Sequence, residues 1–318
     1  MMGLWAPAIC QIPLYDFPMA FKQLSSQAEN LEFTNTIQFD GTGGHLQGIQ
    51  LHKENDQIFA YISGSSTTKS YMVKVDLKSP AKVMAIDELM SEPYRHAGGF
   101  QIFDNYLAVG IEDNYKRTSS LIRVYNLSGT KKDWSKPLYT IHRAGDFERF
   151  TAGAVGMTQY NDEILLAVAN WNSINIDFYS CPSADFYSGV GEFHQIGGLT
   201  PTEVSTIDWS DSSWRSYQNI NLFSDAKEGL YLVGFAREGK DQNLADVFLV
   251  TFTDTLPSRD SNLVFKRSIQ IQKTQTRIFD CGGRTDFRAG AGLSIIDGTL
   301  VLISSPDQIK SNTSLNTF

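Results

Sequence analysis

One short pattern recurs five times along this chain of 318 residues and limits its possible folds more than any other feature. In each copy a glycine or asparagine precedes an apolar residue, and a polar turn then leads into a short hydrophobic strand. Self-similarity at a long, roughly fixed period is the signature of a repeat architecture. The five copies are Gly48-Ile49-Gln50, Gly99-Phe100-Gln101, Gly156-Met157-Thr158, Asn219-Ile220-Asn221 and Gly292-Leu293-Ser294.

Each repeat carries the signals of four strands, which we name a to d. Strand a holds the repeated pattern, and Asn, Asp and Gly residues that suit tight hairpins separate it from strand b. Strand c alternates apolar and polar residues, as in Tyr71–Leu77, which is typical of a half-buried strand. Strand d is more polar and is predicted at Lys82–Ile86, Leu138–His142, Glu192–Ile196 and Leu263–Ile271.

The fifth repeat has only three strands, and a matching fourth strand lies at the other end of the chain. Leu31–Gln38 has apolar residues at the same positions as Leu263–Gln270, and both segments end in Gln. Pairing of this N-terminal strand with Thr313–Phe318 would close a ring and remove an exposed sheet edge. The chain therefore resembles the β-propeller superfamily: we predict an all-β, five-bladed β-propeller whose last blade is closed by an N-terminal strand. No motif identifies a particular family within the propellers.

The same pattern predicts the domain organisation. Residues 31–318 form one propeller domain, and residues 1–30 form an extension that packs on it, with Pro18 suited to the start of a short helix. No apolar run approaches the ~20 residues of a membrane-spanning helix. The apolar opening segment lacks the basic start of a secretory signal. These features favour a cytoplasmic protein, leave a secreted mature form open, and exclude a membrane partner; we expect a monomer.

Charge and cysteine content exclude further classes of function. The formal net charge of −8 argues against a nucleic-acid partner, because phosphate binding needs a basic surface. The three cysteines, Cys10, Cys181 and Cys281, form neither a disulfide framework nor a zinc motif. Arginines near Cys281 would lower the pKa of its thiol if they converged on it. A catalytic cysteine is therefore a minor alternative.

The loops divide unequally between the two rims of the predicted ring. The d-to-a and b-to-c loops emerge on one rim, which we call the upper rim, and the other connections form the lower rim. The long loops all belong to the upper rim, whereas the lower rim has mostly short turns and only Trp134 among the tryptophans. Long loops in compact domains are usually functional or disordered. The sequence therefore predicts a site at the upper mouth of the channel.

Two histidines stand at equivalent places on this rim. His45 and His96 both precede strand a of neighbouring blades, and each is followed five residues later by a glutamine, Gln50 or Gln101. Two imidazoles at the channel mouth could act as acid and base or share a metal ion. Alternatively, both rings bond backbone groups between blades and only fix the ring. No metal is assigned, although a channel-mouth ion such as calcium stays open.

Arginine, carboxylate, amide and indole groups complete the predicted site. Converging guanidinium groups would bind carboxylate or phosphate groups of a ligand, unless each pairs with a nearby acid. Glu112 could join the histidines as a catalytic group, as in five-bladed glycosidases of the arabinanase type, or bind calcium with amide oxygens. Trp171, Trp209 and Trp214 offer stacking surfaces for sugars. The predicted ligand-binding residues are Arg95, Arg149, Arg288, Gln50, Gln101, Asp113, Asn170, Trp171 and Asn219.

Three functions follow from this arrangement. The first is a propeller that binds a small polar, anionic or carbohydrate-like molecule and uses no cofactor. The second is a hydrolase or lyase on the same rim, with histidines as acid and base and arginines stabilising charge. The third is a protein-interaction scaffold with tryptophans as anchor residues.

Overall fold

A computed structural model of the chain describes residues 14–38, 44–129, 132–201, 204–206, 211–239, 242–254 and 267–318. Its first elements are helix α1 (Phe17–Gln23) and strand β1 (Glu29–Thr34). Blade 1 then contains β2 (His45–Glu54), β3 (Gln57–Ser65), β4 (Lys69–Asp76) and β5 (Lys82–Ser91). Blade 2 contains β6 (His96–Phe103), β7 (Tyr106–Glu112), β8 (Ser119–Asn126) and β9 (Tyr139–Ala144).

The remaining blades follow the same order. Blade 3 contains β10 (Ala154–Tyr160), β11 (Glu163–Ala169), β12 (Ile176–Pro182) and β13 (His194–Leu199), with helix α2 (Ser183–Ser188) between the last two. The short strand β14 (Ser205–Thr206) adds to the edge of blade 4, which contains β15 (Asn219–Ser224), β16 (Leu230–Glu238), β17 (Gln242–Asp254) and β18 (Arg267–Phe279). Blade 5 contains β19 (Ala291–Ile296), β20 (Thr299–Ser304), β21 (Asn312–Thr317) and β1.

Neighbouring strands within each blade pair antiparallel, and the five inner strands form a ring. Strand β2 contacts β6 and β19, while β10 contacts β6 and β15, and β15 also contacts β19. Single bridges such as Ser65↔His96 join four of the blades edge to edge. The described residues thus form a β-propeller, as the repeats predict.

The repeated apolar residue explains why the pattern specifies this fold. Each copy is almost fully buried and belongs to a different apolar cluster, one for each junction between neighbouring blades. An inner strand can pack against the next blade only if an apolar side chain fills that junction. The five residues are Ile49, Phe100, Met157, Ile220 and Leu293.

The predicted closure of the ring by an N-terminal strand is confirmed. Strand β1 pairs antiparallel with β21, from Glu29↔Thr317 to Thr34↔Asn312. Phe33 and Leu315 are buried together in the junction between blades 5 and 1. A shift of one residue would turn these side chains to the other face of the sheet, so burial fixes the register.

Helix α1 covers the junction between blades 4 and 5. Asp16 caps the helix by accepting the Met19 N–H, and the Phe17 N–H donates to Asp225 Oδ2 at 3.1 Å. Phe17 and Phe21 are fully buried in the apolar cluster of this junction. The helix therefore completes the apolar packing at this junction between blades.

Several predicted strand boundaries are wrong: β1 spans Glu29–Thr34 and not Leu31–Gln38, and β5 continues past Ile86 to Ser91. The largest difference is in blade 4. Strand d of blade 4 was predicted to end at Ile271, but β18 continues to Phe279, so Arg277 lies in a strand and not in an upper-rim loop. The reason is α1, since Arg277 donates to the carbonyl oxygens of Phe21 and Leu24, both at 2.6 Å. Residues 263–266 of the predicted strand lie outside the described residues.

Side-chain amides fill the centre of the ring. Gln101 on blade 2 accepts the N–H groups of Met157 and Leu222, on blades 3 and 4. Gln50 on blade 1 donates to Asn221 and accepts from Ser294, on blades 4 and 5. All these amides are buried. They cross the axis and separate an upper opening from a lower opening.

Candidate functional site

The upper opening brings His45 and His96 together. They begin β2 and β6, the inner strands of blades 1 and 2, and their ring centroids lie 6.3 Å apart in an edge-to-face arrangement. His96 is buried, whereas His45 is exposed. This is the spacing expected for two imidazoles that face one ligand, because equivalent positions on neighbouring inner strands meet at the mouth.

Glu112 is the direct neighbour of His96. The two residues are paired across β6 and β7, and Nδ1 of His96 lies 3.0 Å from Oε1 of Glu112, at too bent an angle for a good hydrogen bond. The other carboxylate oxygen, Oε2, accepts the Ala152 N–H of the next blade at 2.7 Å. Glu112 has no exposed surface. The carboxylate is therefore held in place by blade 3, and it lies beside the imidazole of blade 2.

His45 sits in a different electrostatic setting. Desolvation lowers the pKa of His45, and the neighbouring His96 and Arg288 act in the same direction. The carbonyl of Leu46 and the carboxylate of Asp307 oppose this shift. The net lowering keeps His45 neutral at pH 7. The side-chain amide of Gln47 donates to its Nδ1, which leaves the N–H of the ring as the available group.

Trp171 and Arg117 form the wall beside His96. The Trp171 ring centroid lies 5.8 Å from that of His96, and Arg117 Cζ lies 4.1 Å from the centre of the indole. The Trp171 N–H donates to Thr151 Oγ1 at 2.7 Å, which fixes the short 3-10 turn Trp171–Ser173. Arg117 also pairs with Glu148 at 2.7 Å. Sequence reasoning missed Arg117, although its place in a b-to-c loop was a usable signal.

The three predicted arginines do not converge. Arg95 donates to Asn114 at 3.0 Å and to the Thr67 carbonyl at 2.6 Å, beside a cavity of about 490 Å³ that Tyr115 also lines. Arg149 donates two hydrogen bonds to the Asp177 carboxylate, at 2.6 and 2.7 Å. Both residues line another cavity of about 570 Å³. Arg288 lies near enough to His45 to lower its pKa. The Arg288 side chain is largely exposed, and its guanidinium lies 3.8 Å from Oδ2 of Asp286.

Asp113 and Asn170 shape the loops around the histidines. Asp113 accepts the N–H groups of Tyr115 and Lys116, and Asn170 accepts the N–H of Asn175. Such contacts stabilise turns and explain both residues without a ligand. Gln50 and Gln101 likewise hold the ring together. A role of these four residues in ligand binding therefore stays a prediction.

Asn219 behaves differently from the other predicted polar residues. It occupies the position that glycine holds in the other four repeats, and a Cβ atom at Gly99 or Gly48 would lie 2.7 or 2.9 Å from Asn219 Oδ1. The side chain is 1% exposed, and neither of its amide atoms has a hydrogen-bond partner among the described residues. Asn219 fills the upper end of the channel with an unsatisfied amide.

The cysteine hypothesis is wrong. Cys281 is buried, and desolvation raises the pKa of its thiol, while Arg277 is held by α1. Cys181 is also buried and free. Trp214 is half-buried and donates to the Ser173 carbonyl, and Trp209 lies outside the described residues.

Two further findings concern metals and membranes. In the part of the chain that the structure describes, no group of three or more His, Cys, Asp or Glu side chains is arranged to hold a metal ion. None of the helices in those same ranges has the length and hydropathy to span a membrane.

Comparison with known proteins identifies no family for this chain. No model of a known protein family and no curated protein matches the chain. Solved glycoside hydrolases match over most of their length. The catalytic domain of the GH62 α-L-arabinofuranosidase of Coprinopsis cinerea has 10% identity and a TM-score of 0.47, over 92% of this chain and 98% of that one. The RS223 β-xylosidase has 8% identity and a TM-score of 0.46, over 87% and 92%. The GH43_1 enzyme of Xanthomonas citri, in complex with xylose, has 7% identity and a TM-score of 0.44, over 87% and 88%.

Proposed function

We propose that this protein binds a small polar ligand, of the carbohydrate type, at the upper opening. The observation that carries the proposal is the group formed by His45, His96 with its buried partner Glu112, and Trp171. It combines an exposed neutral imidazole, a buried carboxylate and an aromatic face within one opening.

These groups match the chemistry of a sugar. A sugar hydroxyl group accepts as well as donates hydrogen bonds, so it can accept the remaining N–H of the neutral His45 imidazole. The apolar face of a sugar ring packs on an aromatic side chain, and Trp171 is held rigidly between Arg117 and its own backbone hydrogen bond. The buried amide of Asn219 supplies further hydrogen-bonding capacity at the inner end of the opening.

Binding is better supported than hydrolysis. Glycoside hydrolysis uses two carboxyl groups on opposite sides of the scissile bond. Among the described residues, Glu112 contacts His96 but is fully buried, and the Asp307 carboxylate acts on His45 only as a nearby charge. Glu148 is ion-paired with Arg117, and Asp113 caps a turn. The hydrolase or lyase and the interaction scaffold remain alternatives that the same experiment can separate.

Calorimetric titration with xylotriose, as a neutral probe, and galacturonate, as an anionic one, tests this proposal. We expect at least one probe to bind, and Trp171→Ala to weaken it about tenfold through loss of the stacking surface. Phe147→Ala is the matched control, because Phe147 is an exposed aromatic residue of the same rim. Failure of both probes at millimolar concentration, or equal losses in the two variants, would contradict the proposal. Product formation during the titration would favour the hydrolase.

A further inference from the structure

The cavity of about 570 Å³ that Arg149 and Asp177 line belongs to blade 3. It lies beside the start of β12 and the end of β13, and Arg149 reaches it from the loop before β10. Its volume is within the ~300–1,000 Å³ typical of small-molecule sites. Asp177 is the one carboxylate among the described residues that line it. The cavity is thus separate from the histidine pair of the upper opening.

The carboxylate of Asp177 has no hydrogen-bonding capacity left. Asp177 is 1% exposed, and Arg149 donates to both of its oxygens, at 2.6 and 2.7 Å. Arg143 donates to Oδ2, and Gln195 donates to Oδ1 at 3.2 Å. A carboxylate offers about four acceptor positions, and these four donors occupy them. Asp177 therefore cannot neutralise any further charge.

Two guanidinium groups share this single carboxylate, which leaves one positive charge. The Arg143 side chain is 2% exposed, and its Nε is a buried atom without a hydrogen-bond partner among the described residues. Arg149 donates through its two terminal nitrogens, whereas its Nε donates to no described residue. A buried charge without a counter-charge is costly, so a bound anion would lower the free energy of this group.

The buried ionic network of blade 4 has the opposite balance. Its cations are Arg215 and Lys273, and the Lys273 side chain is fully buried. Arg215 contacts the carboxylates of Asp211, Glu238 and Asp246 at 2.5, 2.6 and 2.7 Å. Two cations thus meet three carboxylates. Blade 4 compensates its buried cations within the chain, whereas the described residues of the blade 3 cavity do not.

We propose that the blade 3 cavity is a second binding site, for a small organic monocarboxylate. The carboxylate accepts the Nε–H of Arg149 and the side-chain amide of Asn175, and the apolar part of the ligand packs on Leu199. The amide N–H groups of Asn175 are available, because its Oδ1 is the atom that accepts the Thr200 hydroxyl, at 2.6 Å. One negative charge completes the balance of two cations and two anions, whereas a phosphate dianion would exceed it.

Titration calorimetry at pH 7.5 with acetate and butyrate, against butylammonium and butanol, tests the proposal. Both carboxylates bind, butyrate more tightly through Leu199, and neither control binds. Arg149→Gln weakens butyrate binding about tenfold, because it removes the unbalanced charge and the donor. Arg284→Gln is the matched control. Arg284 is an exposed arginine outside the cavity, 3.9 Å from Glu32, and its substitution leaves butyrate binding unchanged.

Asn175→Asp tests the charge balance without touching Arg149. The new carboxylate supplies the missing negative charge and keeps an oxygen for the Thr200 hydroxyl, so butyrate binding is lost while the fold is retained. Butyrate raises the thermal unfolding temperature of the wild type and of Arg284→Gln, but not that of Asn175→Asp. No binding of either carboxylate, equal binding of butanol, equal losses in Arg149→Gln and Arg284→Gln, or undiminished binding in Asn175→Asp would overturn the proposal. Tighter binding of inorganic phosphate than of butyrate would also contradict it.

Discussion

The two openings of the ring use histidine in opposite ways, and strand β2 carries one example at each end. His45, at the upper end, is exposed beside a second imidazole whose partner is the fixed carboxylate Glu112. His52, seven residues further along, is buried against the ring of Tyr61. Desolvation lowers the pKa of both imidazoles, and the net lowering is larger at the more deeply buried His52.

Loop length alone does not predict which of the two openings has space for a ligand. The upper rim has the long loops, yet many of its polar side chains are used to hold those loops, as Asp113 and Asn170 show. The lower rim has short turns, but small side chains such as Ser294 leave a roomy cavity there.

We expect the largest effect from a substitution that disturbs the ring of inner strands between the two openings. A Cβ atom at Gly98 would lie 2.1 Å from the Gly153 carbonyl oxygen of the next blade. Because a backbone atom cannot move aside cheaply, we expect Gly98→Ala to lower the free energy of unfolding by more than about 3 kcal/mol. Urea denaturation measures this effect. Gly153→Ala is the control, since its nearest atom is 3.2 Å away and its cost is smaller.

A pH series sharpens the contrast between the two histidines of β2. The pKa of His52 is about 4 in the folded protein and about 6.5 in the unfolded chain. As the pH falls below about 6.5, the unfolded chain therefore binds a proton that the folded protein does not bind. Wild-type stability is therefore lost on acidification, and His52→Gln removes that loss. We expect the variant to gain about 3 kcal/mol relative to wild type between pH 7 and pH 4. His45→Gln shifts stability in the same direction by less, and equal gains would contradict the difference in burial.

Removal of a carboxylate should change the free energy of unfolding by different amounts at the two openings. Glu112→Ala removes the acceptor of the buried Ala152 N–H and the neighbour of His96, and we expect a loss of about 2 kcal/mol. Asp104→Asn removes a charge that burial disfavours, so stability at pH 7 stays equal or rises slightly. Chemical denaturation measures the free energy of unfolding of both variants. We expect the value for Glu112→Gln to lie between those of Glu112→Ala and Asp104→Asn. Similar losses in Glu112→Ala and Asp104→Asn would remove the distinction.

The smallest expected effect concerns the wall of the upper opening. Arg117 stacks on Trp171, and Arg117→Ala should cost about 0.5–1 kcal/mol. The emission of Trp171 should also shift to longer wavelength as its face becomes hydrated. Arg284→Ala, an exposed arginine 3.9 Å from Glu32, should change neither stability nor emission. An unchanged spectrum in Arg117→Ala would show that the stacking does not persist in solution.

Much of the fold was predictable because the repeated apolar residues are the ones that fill the junctions. The pairing of β1 with β21 followed from two similar strand patterns, and the meeting of His45 with His96 followed from their equivalent positions. The extent of β18 could not be predicted, because it depends on carbonyl groups of α1 that bind Arg277 across the fold. The stacking of Arg117 on Trp171 and the lower cavity depend on side-chain conformations, which no repeat pattern encodes.

Closure through β1 has a consequence for how the protein is made. During translation β1 leaves the ribosome long before its partner β21, because the strands of blades 1 to 4 lie between them in the chain. Blades 1 to 4 can stack on the nascent chain, but the final junction must wait until β21 has left the ribosome. Until then β1 presents an unpaired edge that other chains could occupy. Correct folding of this protein therefore depends on β1 staying available until β21 has been synthesised.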